Sequence, residues 1–128
     1  MKFSELKPGE WFLFGDKAPC LKFWCTLRNG ENKSVSFGYA RVHENKLIFG
    51  VDEFEVQKKF LFVDVGSSFV RMQNAAAMES GQAFYPYNNE NTAIVVARQR
   101  AIIIDSGELL TLQGGPFQAY NYTLTETH

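Results

Sequence analysis

The sequence predicts an all-β protein: a small barrel or sandwich of short antiparallel strands with little helix. Three observations carry that expectation. Short apolar runs rich in Phe, Val, Ile and Tyr are cut by turn residues at roughly regular spacing along the 128-residue chain. Apolar residues recurring at i, i+3, i+4 and i+7, the mark of an amphipathic helix, are nearly absent. Twelve Phe, five Tyr and two Trp make 15% of the residues aromatic, so the core is expected to be rich in rings.

In chain order, SELKPG allows a single helical turn capped by Ser4 and stopped by Pro8 and Gly9. EWFLFG is the first strand, and CLKFWCTL runs from it toward a hairpin turn at Asn29-Gly30. SVSFGYARV alternates, with Val35, Phe37 and Tyr39 on one face and Ser36, Gly38 and Ala40 on the other. HENK leads into LIFGV, after which FEVQKKFLFV and SSFVRM follow as separate strands. VRMQNAAAMES contains good helix formers and is long enough for about three turns. The strands QAFYPY, TAIVVA, RAIIID, ELLTLQ and FQAYNYTLT complete the chain, joined by ESG, NNEN, DSG and QGGP.

No Pro- or Ser-rich linker interrupts this series, so residues 1–128 read as a single domain. Within it, FLFGD at 12–16 and FLFVD at 60–64 open stretches with a similar order of parts. An internal repeat over 12–56 and 60–96 follows, a duplicated β unit giving two similar halves that bury their aromatic faces against each other. AAMESGQAFYPY and IIIDSGELLTLQ form a shorter echo.

Several classes of chemistry are disfavoured. Thirteen basic against fourteen acidic residues give a formal charge of −1, and no run of five like charges occurs, so nucleic acid is not an expected partner. The start MKFSELKPGE lacks the apolar stretch of a signal peptide, and no apolar run approaches a membrane span, so a cytoplasmic location is expected. Cys20 and Cys25 fall on opposite faces of one strand and are expected as buried thiols. Two Cys and two His are too few for a zinc site; no metal and no cofactor are expected. His43 sits in a polar turn and His128 at the last position, with no nucleophile elbow nearby. No catalytic residue is assigned, although Asp52, Glu53, Glu55, Asp64 and Asp105 supply carboxylates.

The opening FSELKPGEWFLF resembles that of small uncharacterised bacterial and phage proteins beginning F-x-x-L-x-x-G-x-x-F. The matching residues are Phe3, Leu6, Gly9 and Phe12, with the stretch FVRMQNAAAMESGQAFYPYNNE further on. The resemblance implies a small β-barrel-like domain and no particular activity.

Two binding features remain. Lys22, Arg41 and Arg71, with Arg98 and Arg100, lie in or beside strands dense in rings, which suits a small anionic ligand such as a nucleotide. Pro86, flanked by Tyr85 and Tyr87 in FYPYNNEN, suits a partner-binding loop. The continuous apolar strands RAIIID and ELLTL must be covered on both faces, within the chain or by a second copy. The expected function is therefore a non-enzymatic protein–protein interaction or assembly module, bacterial or phage in origin and self-associating. A binder of a small anion is the alternative, and an enzyme comes third.

Overall fold

A computed structural model describes residues 1–15, 19–85 and 92–126; the side chains of residues 64–71 also lie outside the described part. The chain is all-β. Ten strands form one curled antiparallel sheet: β1 (Trp11–Leu13), β2 (Cys20–Asn29), β3 (Asn32–Arg41), β4 (Lys46–Phe49), β5 (Lys58–Gln73), β6 (Ala83–Tyr85), β7 (Ala93–Ala97), β8 (Arg100–Ile103), β9 (Leu109–Thr111) and β10 (Phe117–Glu126). Their order across the sheet is β4-β3-β2-β1-β5-β10-β6-β7-β8-β9.

Most apolar runs became strands because short turns let each pair with its sequence neighbour. FEVQKKFLFV and SSFVRM did not stay separate. KKFLFV of the first and all of the second lie within β5, which pairs along most of its length with β10 through two register irregularities. VRMQNAAAMES forms no three-turn helix. Its first residues end β5, and only Ala75–Ala77 make a single 3-10 turn. The β10 partner overrides the helical propensity of this stretch. SELKPG likewise gives one 3-10 turn, Phe3–Glu5.

Read from either end, the sheet shows the same sequence of roles: β4-β3-β2-β1-β5 from one edge mirrors β9-β8-β7-β6-β10 from the other. The correspondence extends to single hydrogen bonds. The Gly9 amide donates to the Lys22 carbonyl at 2.8 Å, and the Gly81 amide to that of Val95 at 2.7 Å. The Lys22 amide reaches Glu10 O at 3.1 Å, and the Val95 amide reaches Gln82 O at 3.0 Å. Ahead of these, Leu6 N–Phe3 O is matched by Met78 N–Ala75 O, and Phe3 N–Phe54 O by Ala75 N–Gly114 O.

Three apolar clusters obey the same relation. The central core takes Trp11, Leu21, Phe23 and Ala40 from one half, and Ala83, Ile94, Val96 and Ile102 from the corresponding places in the other. A satellite core on the outer face of the first half holds Phe3, Leu6, Phe12, Cys20, Tyr39 and Val56. Its counterpart holds Ala75, Met78, Phe84, Ala93, Ala101 and Leu112. Each satellite is roofed by a 3-10 turn and by the segment that precedes β5 or β10.

This order does not establish the repeat expected over 12–56 and 60–96. FLFGD begins on β1 and FLFVD lies on β5, and these two strands are hydrogen-bonded neighbours, with Trp11 opposite Phe60. Their rings face opposite sides of the sheet: Phe12 and Phe14 pack in the first satellite, and Phe60 and Phe62 pack against the central core. The apolar β8 is also covered within the chain. Ile102 faces the central core, while Ala101 and Ile103 face the second satellite. No second copy is required to hide it.

The sheet rolls until each half touches the other. Trp24 of β2 forms a parallel bridge with Glu108 and donates its amide to Gly107 O at 2.9 Å. At the corresponding place, Asn45 and Ser80 are hydrogen-bonded through their side chains, and Gly81 approaches His43 and Val42. These two latches close the curl.

Candidate functional site

β2 alternates across the sheet, so Leu21, Phe23 and Cys25 enter the central core while Cys20, Lys22 and Trp24 point to the outer face. Across the β2–β3 ladder, Lys22 sits opposite Tyr39 and Cys20 opposite Arg41. Cys20 and Cys25 are buried and unbridged, in keeping with their opposite faces. Burial pushes the Cys20 thiol up to about 11, with Arg41 pulling it down and Glu44 adding to the rise.

Lys22 is the one charged residue in the buried set of the described chain, with 4% exposure. Its ammonium donates to the carbonyls of Phe3 at 2.9 Å and Leu6 at 2.7 Å, where the first 3-10 turn ends; Phe3 O also accepts the Leu6 amide. The ring of Phe3 lies 4.4 Å from Nζ and that of Phe37 5.2 Å. Burial is the main reason its pKa lies below the usual lysine value, with Glu53 and Glu10 opposing that shift. The side chain borders an open cavity of about 440 Å³ walled by Phe3, Leu6, Pro8, Phe37 and Val51, with Ser4, Glu5, Lys7 and Glu53 also lining it.

Of the two described cations expected to hold an anion, Lys22 lines this cavity and Arg41 does not. Arg41 shares its sheet face but is turned to Glu44, 3.4 Å from Nη1, and its pKa is raised first by a hydrogen bond with Tyr39. The side chain of Arg71 lies outside the described residues. Of the rings expected to greet a partner, Tyr85 is described. Tyr85 is half-buried, stacked on Tyr120 at 4.4 Å and packed against the central core, so it is no exposed anchor. Pro86 and Tyr87 lie outside the described residues. His43 occupies an exposed 3-10 turn, Val42–Glu44. No group of three metal-ligating side chains occurs among the described residues.

Sequence reasoning missed the most exposed apolar feature. Beyond the part of β3 that β4 covers, residues 38–41, the β2–β3 hairpin continues as a two-stranded arm. On it Leu27, Val35 and Phe37 are exposed, Val35 to 58%. Among the described residues, no strand pairs with the outer edge of β3 over 33–37. The alternation of Val35, Phe37 and Tyr39 was legible, but the point where β4 stops covering it was not.

No family model, curated protein or solved structure matches the chain. Among the described residues, no helix is long and apolar enough to cross a membrane.

Proposed function

We propose that this chain is a non-enzymatic assembly module, built from a duplicated β unit and self-associating through the arm of β2 and β3. The observation that carries this reading is the uncovered edge of β3 with apolar side chains exposed beside it. An open strand edge is a template for another strand, and soluble chains ordinarily blunt it. A second copy suits the edge because antiparallel pairing about a two-fold axis makes a strand its own complement. With the axis at Val35, that residue meets its own copy, Ser34 meets Ser36, and Lys33 faces the ring of Phe37. These are favourable cross-strand partners, and the pairing stops short of Gly38, where β4 begins.

The duplicated unit is supported by the mirrored strand order and the matched hydrogen bonds at Gly9 and Gly81. In this reading the first half carries the assembly arm. The second half replaces it with a tight turn at Arg98-Gln99, where Gln99 has φ +55°. A cytoplasmic location belongs to the same proposal.

Sedimentation velocity on the full chain tests self-association. A concentration-dependent dimer is expected, and Val35→Lys, which sets two ammonium groups face to face at the axis, weakens it at least about tenfold. A chain that stays monomeric at several hundred micromolar, or a dimer indifferent to Val35→Lys, contradicts the proposal.

A further inference from the structure

We propose that the cavity beside Lys22 is a binding site for a small organic acid: one carboxylate on an apolar body. The inference shares Phe37 with the assembly arm, but it is carried by Lys22 and its cavity and does not require self-association. The two halves provide an internal comparison. In the second half the place of Lys22 is taken by Val95, 1% exposed beneath the turn of Ala75–Ala77. That turn ends as the first one does, with the Met78 amide on Ala75 O. The architecture is therefore satisfied by a small apolar side chain at this register. A buried cation, which costs desolvation wherever it is placed, is not a requirement of the fold.

What Lys22 adds is a positive floor to an apolar cavity. An ammonium has three N–H donors, and two of them are held by Phe3 O and Leu6 O. These bonds fix the side chain and leave the third donor for a ligand. The walls are mostly apolar, and Phe37 stays 47% exposed although its ring stands close to Nζ, so one side of the site is an open aromatic surface. A volume of about 440 Å³ suits a molecule of small-metabolite size. The same lining sets the charge of the ligand. Glu5 and Glu53 accompany Lys7 and Lys22 around the cavity, so the charges nearly cancel. One carboxylate is accommodated at the buried ammonium of Lys22, whereas a phosphate dianion or nucleotide meets two carboxylates at the rim.

The test is an NMR titration of the full chain with sodium phenylacetate, neutral phenylacetamide of the same shape, and inorganic phosphate. Saturable shifts are expected at Phe3, Leu6, Phe37 and Val51, with a Kd on the order of 1 mM for so small a probe. Phenylacetamide and phosphate are expected to bind at least tenfold more weakly. Lys22→Met keeps the stem and removes the charge, and is expected to lose binding at least tenfold. Val51→Trp leaves Lys22 in place and fills the cavity, and is expected to abolish the shifts even if Lys22→Met does not fold. Absence of saturation at these residues overturns the proposal, as does equal affinity for phenylacetamide or phosphate. So do a folded Lys22→Met that binds like the parent and a Val51→Trp that leaves the titration unchanged.

Discussion

Gly107→Ala is expected to destabilise the fold by about 3–5 kcal/mol, among the largest effects of any single methyl in this chain. Gly107 has φ +74°, a left-handed conformation that an L side chain adopts at a cost. Space makes the position worse. A Cβ there would lie 2.1 Å from Pro8 Cβ, 2.3 Å from Pro8 C and 2.6 Å from Gly9 N. Gly9 is equally confined, with a Cβ falling 2.0 Å from the Ile104 carbonyl oxygen at φ +93°. The contact joins the Pro8-Gly9 turn of one half to the β8–β9 turn of the other, beside the amide bond from Trp24 to Gly107. The partners are backbone and the fixed ring of Pro8, so no rotamer can relieve it. Gly50 supplies the control: φ is +61° but a Cβ would meet nothing within 4 Å. Gly50→Ala is expected to cost only about 1–2 kcal/mol. Urea unfolding of the three proteins decides the matter, and equal losses for Gly107→Ala and Gly50→Ala would show that the latch is not tight.

Trp11→Ala is expected to cost a similar amount, about 3–5 kcal/mol, through the cavity it leaves. Trp11 is 1% exposed in the central core, with its ring 6.0 Å from that of Tyr122. The corresponding position on β6 is Ala83, fully buried in the same core. Ala83 cannot move to fill the space, and the strands on both sides are fixed by ladders to β2 and β5. The loss therefore combines the transfer of an indole with an unfilled void. Val35→Ala, on the exposed arm, is expected to change monomer stability by less than about 0.5 kcal/mol. Thermal or urea unfolding of Trp11→Ala that resembles Val35→Ala would place Trp11 outside the core.

The strands were legible in the sequence because their signals are local: alternation, β-branched and aromatic runs, and turn residues between them. The proposed duplication was half legible. The spacing F-x-x-L-x-x-G-x-x-F that opens the chain at Phe3, Leu6, Gly9 and Phe12 recurs at Ala75, Met78, Gly81 and Phe84. Only Gly and the last Phe are kept as letters, because the first satellite core is filled by rings and the second by smaller residues. FLFGD and FLFVD are nearer in letters, although they lie on neighbouring strands. The candidate site was legible only as a list of cations. Lys22 and Arg41 share a face, but capture of Arg41 by Glu44 rests on the local turn Val42–Glu44, and burial of Lys22 under Phe3 on where a distant turn folds back. Tyr85 misled for the same reason: its stacking partner, Tyr120, is brought to it by β10.

The central claim is that two corresponding halves close one curled sheet through equivalent backbone contacts. Amide hydrogen exchange followed by NMR tests it most directly, at Gly9, Lys22 and Trp24 in the first half and at Gly81 and Val95 in the second. If the claim holds, all five amides are protected to nearly the level of β7 and β8, and the corresponding pairs Gly9 with Gly81 and Lys22 with Val95 exchange at comparable rates. Rapid exchange at Trp24, or full protection in one half with none in the other, would contradict it.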